Sequence, residues 1–295
     1  MTLPRFRHNA TGHWYKGNTH IHSTVSDGGK TFAELARMYA GDGFDFLFRT
    51  DHWQASDAAG DTTEYPLLWL DGVELDGAGP GGANYHVVCL GTFSGFQQEE
   101  GLEAAMQSAR DQGGLLILAH PHWTGNSLED AVRWPFDGVE IYNHVARWMN
   151  GKSDGTVHWS AMLDRFPETL AFAADDAHIR PEHPGWNGGW IMVNAPACSR
   201  EDILTAIRTG NFYSSCGPEI HSIESDGRTV SVRTSPVKFI RLVSRAWRGR
   251  PVGTFDGRTM TETTLELPGD WPYVYLEVED TQGRRAWTQT LFKRD

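Results

Sequence analysis

The sequence predicts an α/β protein, a sheet of strands alternating with helices, followed by a small all-β module. Three observations predict it. Short apolar runs alternate with amphipathic stretches through the first two thirds of the chain, as in a largely parallel sheet, open or closed into a barrel. After Gly217-Pro218 the texture changes to short β-type runs without a convincing helix. The 295 residues, 39% of them apolar, can build one large domain, or one large and one small.

Taken in order, the strand-like runs of the first part are Asn18–His22, Phe44–Thr50, Gly72–Leu75, His86–Gly91, Leu115–Ala119, Gly138–Tyr142 and Thr169–Ala174. Helix-like segments intervene. Thr31-Phe-Ala-Glu34 is a capping-box pattern that opens a helix, and Gly43 closes it. Glu99–Gln112 has helical periodicity and stops at Gly113-Gly114, and Ser199-Arg-Glu-Asp202 starts a helix ending at Gly210. In the tail, Thr229–Arg233, Lys238–Val243, Tyr273–Val278 and Trp287–Phe292 are β-type. The turn pairs Asp226-Gly227, Asp256-Gly257 and Gln282-Gly283 separate them.

Composition narrows the function classes. Net charge is −12 and no Lys/Arg run could follow a phosphate backbone, so a long nucleic acid is a poor partner. No stretch approaches the ~20 apolar residues of a membrane span, and the N-terminus lacks a signal-type apolar core. Cys89, Cys198 and Cys216 are too few, and odd in number, for a disulfide framework, so reduced thiols in a cytoplasm are the expectation. Oligomeric state is left open.

The chemistry lies in histidines and carboxylates at strand ends. In an extended chain residues i and i+2 share a face, so His20 and His22 can reach one ion; alone, such a pair is a weak signal. Asp27, in the turn Ser26-Asp27-Gly28, could point back to the same space. His52 follows Thr50-Asp51, and Glu74 sits between Val73 and Leu75, where burial without a cation is costly. His86 opens an apolar run and His120 ends another. Asp176 and His178 close the seventh strand. Their gathering at the strand edge where sites are built outweighs any single one. Of the 13 histidines, all but His221 precede residue 184. Imidazole and carboxylate without thiolate suit Zn²⁺, Mn²⁺ or Fe²⁺. Nine candidate ligands exceed what one ion needs, which implies at least two ions, with Glu74 a natural bridge.

These motifs resemble the polymerase-and-histidinol-phosphatase (PHP) superfamily: His20-x-His22 with Ser26-Asp27-Gly28, Thr50-Asp51-His52, Gly72-Val-Glu74, Tyr85-His86, Ala119-His120-Pro121, Val139-Glu-Ile-Tyr-Asn143 and Asp175-Asp176-Ala-His178. The resemblance covers roughly residues 14–218 and implies a distorted seven-stranded β/α barrel with a trinuclear site, assigned to residues 1–218; the turn-separated β runs make residues 219–295 a small sandwich-like module. Carried over, His20, His22, Glu74 and Asp176 would hold one ion, Glu74, His86 and His120 a second, and Asp27, His52 and His178 a third. Trp14-Tyr-Lys-Gly-Asn-Thr-His20, Gly210-Asn-Phe-Tyr-Ser-Ser-Cys-Gly-Pro218 and Gly283-Arg-Arg-Ala-Trp287 are similar to the carbaryl-hydrolase-like branch. Arg49, where an aliphatic residue usually stands, could reach a substrate anion or pair with a carboxylate.

The leading expectation is a metal-dependent hydrolase that cleaves a small phosphate ester, with a hydroxide bridging two of two or three divalent ions (Mn, Fe or Zn) as nucleophile. Glu74 and Asp176 would carry that centre. Arg180 would clamp the phosphate, and His122 and Asn143 could contact ligands or the leaving group. A carbamate or carboxylic ester is the alternative, kept open by 12 tryptophans, of which Trp53, Trp123, Trp148, Trp186 and Trp190 lie near motifs. A non-catalytic, metal-stabilised binding module is the third reading.

Overall fold

The structure, a computed structural model, describes residues 5–9 and 11–293. It is a mixed α/β fold that divides into two compact units. One comprises Tyr15–Ile191 and Cys198–Arg200; the other comprises the described residues of Met1–Trp14, Met192–Ala197 and Glu201–Asp295.

In chain order the elements begin with β1 (Arg5–Phe6), β2 (His13–Asn18), α1 (Phe32–Gly41), β3 (Phe46–Arg49), β4 (Leu68–Ala78) and β5 (Asn84–Leu90). They continue with α2 (Leu102–Asp111), β6 (Leu115–Leu118), α3 (Pro121–Thr124), α4 (Leu128–Ala131), β7 (Gly138–Asn143), α5 (His144–Met149), α6 (Thr156–Arg165) and β8 (Leu170–Ala174).

In the first unit the strands run in the order β2-β3-β4-β5-β6-β7-β8. Just beyond the two outer strands, Ile21 and Ala177 form a parallel bridge, with the His22 N–H on Ala177 O at 2.9 Å. Every residue of β6 and β8 is buried, as expected where both faces of a sheet are covered. The Thr31–Glu34 capping box forms as the sequence indicates. The apolar face of α1, Leu35, Ala36 and Tyr39, packs with Ile21, Phe44, Leu47 and Ala177. Burying each large side chain there contributes about 1.5–3 kcal/mol.

Two expectations change. The first strand is His13–Asn18, not Asn18–His22, so His20 and His22 lie past its end on the bridged segment. And β5 pairs antiparallel with both β4 and β6, so the sheet is mixed. The short Gly79–Ala83 connection makes a hairpin of β4 and β5, whereas a parallel pair would require a long crossover.

The second unit holds β9 (Trp190–Ala195, from Met192), α7 (Arg200–Thr209, from Glu201) and β10 (Phe212–Ser215). All three lie within residues 1–218, the range that the sequence assigns to the barrel. The rest is β11 (Ile220–Ser225), β12 (Thr229–Val237), β13 (Phe239–Val243), β14 (Gly249–Gly253), β15 (Met260–Glu266), β16 (Tyr275–Glu279), β17 (Arg285–Thr288) and β18 (Phe292–Lys293). Strands β11-β12-β15 form a three-stranded antiparallel sheet, and β14-β13-β16-β17-β10 are antiparallel neighbours. Alternate residues of both, Ile223, Val230 and Val232 with Ile240, Leu242, Leu276 and Val278, share one core.

Cys89, Cys198 and Cys216 are free thiols. No helix among the described residues is long and apolar enough to cross a membrane.

Candidate metal centre

The first unit brings all nine sequence-named histidines and carboxylates together. His22, Asp27, His52 and His178 form one group whose ligand atoms lie within 4.8 Å of one another, and His20, His22, Glu74 and Asp176 form a second. His52, Glu74 and His86 form a third, and His20, His120 and Glu140 a fourth. The first two match the sets the family resemblance implies, with His22 shared. His120 and His86 fall in separate groups, although each still faces Glu74, at 3.5 and 2.8 Å.

Local folding explains the convergence. The bridge at Ile21 keeps His20 and His22 extended, and their Nε2 atoms meet at 3.1 Å. Glu74 lies within β4, which runs on to Ala78, and is bridged in parallel to His52. His86 is near the start of β5; because that strand runs backwards, its beginning reaches the edge where the parallel strands end. His120 (φ 28°) and Asp176 (φ 55°) both adopt left-handed backbone just after their strands. Such strain in non-glycine residues costs about 1–3 kcal/mol and clusters at functional sites. Gly28 lets the Asp27 turn approach His22, since a Cβ there would lie 2.2 Å from His22 O.

Asp51 fixes that turn. Its oxygens accept from the Ser23 and Ser26 N–H groups at 2.8 and 3.1 Å, and from both hydroxyls at 2.7 and 2.6 Å. Asp175 is also saturated, accepting from Asn18 Nδ2, Tyr39 OH and the N–H groups of Asn187, Gly188 and Gly189. Both are scaffold carboxylates.

Glu74 differs. It is 1% exposed, and its Oε2 lies 3.1–3.3 Å from Nε2 of His20, His22 and His52 yet has no hydrogen-bond partner. Asp176 Oδ1 lies 3.3 and 3.1 Å from the same His20 and His22 nitrogens. Burial alone would disfavour charge on these groups, but their proximity reverses that. Asp176, Glu74 and Glu140 raise the His20 pKa well above the ordinary imidazole value despite burial, and His22 rises to about 9. Burial opposes it, but His20 and His86 hold Glu74 well below the carboxylate range, and His20 holds Asp176 there likewise. This donor set, an orphaned buried carboxylate oxygen facing imidazole nitrogens, fits divalent cations.

Several imidazoles are oriented from behind. His20 Nδ1 meets Glu140 Oε1 at 2.7 Å, His52 Nδ1 meets Asp76 Oδ1 at 3.0 Å, and His178 Nδ1 meets the Asp176 carbonyl at 2.8 Å. Each contact turns the opposite nitrogen toward the centre. Neither Glu140 nor Asp76 is among the nine ligands that the sequence predicts. The signal for Glu140 was present: a carboxylate between Val139 and Ile141 in a strand that is buried throughout.

Exposure marks the open side. His52, His86, Asp76 and Asp27 are 22–41% exposed, whereas His20, His22, Glu74, His120 and Asp176 are buried. Arg180 is at this side, its Nη2 3.6 Å from Asp27 Oδ2. Asn143 donates to Glu140 at 2.9 Å and to Asp176 at 3.3 Å, whereas His122 is exposed, its ring 6.5 Å from that of His158. Arg49 is buried, pairs with Asp61 and lies over Phe32 at 4.3 Å, so it serves structure. Trp123 packs edge-on against His120 at 4.9 Å, and Trp53 follows His52 directly. Trp186 and Trp190 instead pack on Tyr39 and Lys16, and Trp148, 61% exposed, donates to Glu182 O.

No protein-family model matches the chain, and no curated protein matches it significantly in sequence. Among solved structures it is similar to a two-domain protein from Bacteroides vulgatus described as containing a predicted PHP-like metal-dependent phosphoesterase. That likeness has a TM-score of 0.56 and 15% identity, and covers 95% of this chain and 94% of the other. It extends the shared fold over both units. An amidohydrolase from Chromobacterium violaceum, solved with bound sulfate and no metal, also matches, with a TM-score of 0.38, 15% identity and coverage of 66% of this chain and 96% of that one. It is too distant to bear on the fold.

Proposed function

We propose that this chain is a metal-dependent hydrolase, most suited to a small phosphate ester. The observation that carries the reading is Glu74: a buried carboxylate facing five imidazoles, with one oxygen that no hydrogen bond satisfies. Uncompensated buried charge costs several kcal/mol, and bound cations would remove that cost. The residues named from the sequence, His20, His22, Asp27, His52, Glu74, His86, His120, Asp176 and His178, are proposed to hold two or three Mn, Fe or Zn ions. When bound, such ions would activate water and offset charge on phosphoryl oxygens.

The chain's own part is to orient and neutralise. Glu74 and Asp176 would hold cations together. Arg180, at the open side, is proposed to turn from Asp27 to a substrate phosphate, since its planar fork matches phosphate oxygens. The parallel Ile21–Ala177 bridge supports the closed seven-stranded barrel reading. The PHP assignment is supported by the shared fold together with the motifs; the carbaryl-hydrolase-like branch rests on sequence motifs alone. We also propose a cytoplasmic enzyme with a small-molecule substrate, an all-β module from residue 219, and neither nucleic acid nor membrane as partner.

A second reading is carbamate or carboxylic ester hydrolysis at the same centre, favoured by Trp123 packed on His120. Elemental analysis of protein purified without chelators, with rates on p-nitrophenyl phosphate, its diester and an aryl carbamate, tests both. Two or three ions per chain and preference for a phosphate ester are expected. At most one ion would sink the multinuclear reading, and a faster carbamate would replace the phosphoester with the second reading.

A further inference from the structure

Glu140 is 2% exposed on β7, and its two oxygens serve three donors. Oε1 faces His20 Nδ1 at 2.7 Å; Oε2 accepts from the His120 backbone N–H and from Asn143 Nδ2, both at 2.9 Å. One carboxylate therefore touches a side chain from the β2 end, the backbone after β6 and a side chain of its own strand.

The backbone explains how. In a regular strand residues i and i+3 point to opposite faces. In β7 the register with β8 slips between Glu140, opposite Phe172, and Tyr142, opposite Ala173. That single extra residue is a bulge, a device that re-aims side chains. It brings Glu140 and Asn143 to one side, where Asn143 also reaches Asp176 Oδ2 at 3.3 Å.

We propose that Glu140 is a positioning residue for the metal centre: it fixes the ring of His20 with Nε2 toward Glu74 and Asp176, and it braces His120 in its left-handed conformation. The proposal rests on the metal-hydrolase reading. At His20, a donated Nδ1–H leaves the Nε2 lone pair for an ion. At His120, with φ 28°, the N–H on Glu140 holds a backbone that an unbraced histidine would leave. The His120 ring is thereby kept with Nε2 3.5 Å from Glu74 and 3.6 Å from Asp176.

The test is zinc binding by chelator competition, with zinc counted per chain, for the wild type, Glu140→Gln, His20→Ala and the double variant. A carboxamide keeps the volume but turns a donor toward the His120 N–H or the His20 ring. We expect Glu140→Gln to weaken zinc by roughly 10–100-fold, with far-UV circular dichroism and a cooperative melt retained. In the His20→Ala background that loss should shrink, because part of it acts through the ring; a merely structural residue would give additive losses. Faster exchange of the His120 amide proton should accompany it. If Glu140→Gln does not fold, Glu140→Asp keeps the charge but shortens the reach, and should show the same loss and the same coupling to His20. Wild-type affinity in the folded variants overturns the proposal alone. Loss of one whole ion, additive with His20→Ala, overturns it by making Glu140 itself a ligand. Absence of zinc from the wild-type chain overturns the metal reading and the proposal with it.

Discussion

In the β-rich unit, Arg241 Nη1 lies 2.8 Å from both Glu277 Oε1 and Glu279 Oε2, and these side chains stay 12–26% exposed. In the other unit Glu74 is 1% exposed and faces His20, His22, His52, His86 and His120, with no Lys or Arg paired to it among the described residues. The first arrangement neutralises charge within the chain, at the surface, where such pairs contribute little. The second leaves an anion among imidazoles that are themselves useful as ligands only when neutral. Asp175 sharpens the contrast, because it too is buried, yet N–H and O–H donors fill its oxygens. Burial of a carboxylate is therefore not the mark of a metal centre. The mark is a buried carboxylate oxygen, here Glu74 Oε2, that faces imidazoles and is left without a hydrogen bond.

The comparison breaks first at Glu74. Glu74→Gln keeps the volume and removes the charge, so at least one ion should be lost and turnover should fall by roughly a thousandfold or more. Elemental analysis and single-turnover rates check this, with circular dichroism to show the fold retained. Normal metal content and rate in the variant would remove the charge of Glu74 from the chemistry.

Asp51 sharpens it. From the sequence this residue would serve as a mild control for Glu74, being no assigned ligand. In the structure it locks the loop that carries Asp27, through Ser23 and Ser26. Asp51→Asn should cost about 1–3 kcal/mol, read as a lowered Tm. It should also weaken metal binding at Asp27, His52 and His178, which are proposed to hold one ion. An unchanged Tm would show the loop to be fixed by other contacts.

Chelated protein tests the charge balance by pH. Its His22 pKa is raised from 6.5 to about 9, against burial, by Asp176 and Glu74. A raised histidine adds stability that is fully present below the unfolded value and is lost as pH rises through the folded one. Metal-free protein should therefore lose roughly 1–3 kcal/mol between about pH 6.5 and 9. Metal affinity should rise over the same window, because each ion displaces protons. Melts with and without chelator measure both, and a flat metal-free profile would contradict the cluster's electrostatics. The smallest effect belongs to the β-rich unit. Arg241→Met should cost about 0–1 kcal/mol and leave metal content and rate unchanged, and any loss of metal would tie that unit to the centre.

Local pattern alone determined much. The Thr31–Glu34 capping box, the apolar runs of β3, β6 and β8 and the all-β tail are short-range features, written in adjacent residues. So is the list of histidines and carboxylates at the strand ends, because side-chain chemistry is fixed by residue type. Tertiary structure decided what neighbouring residues cannot encode. The direction of β5 depends on which strands it pairs with, and that direction carries His86 to the site edge. The difference between Asp175 and Asp176, adjacent and alike in sequence, depends on donors from Asn18, Tyr39 and the Asn187–Gly189 backbone. The bulge that turns Glu140 and Asn143 to one side is a slip of one residue between strands, so it exists only once β7 has a partner.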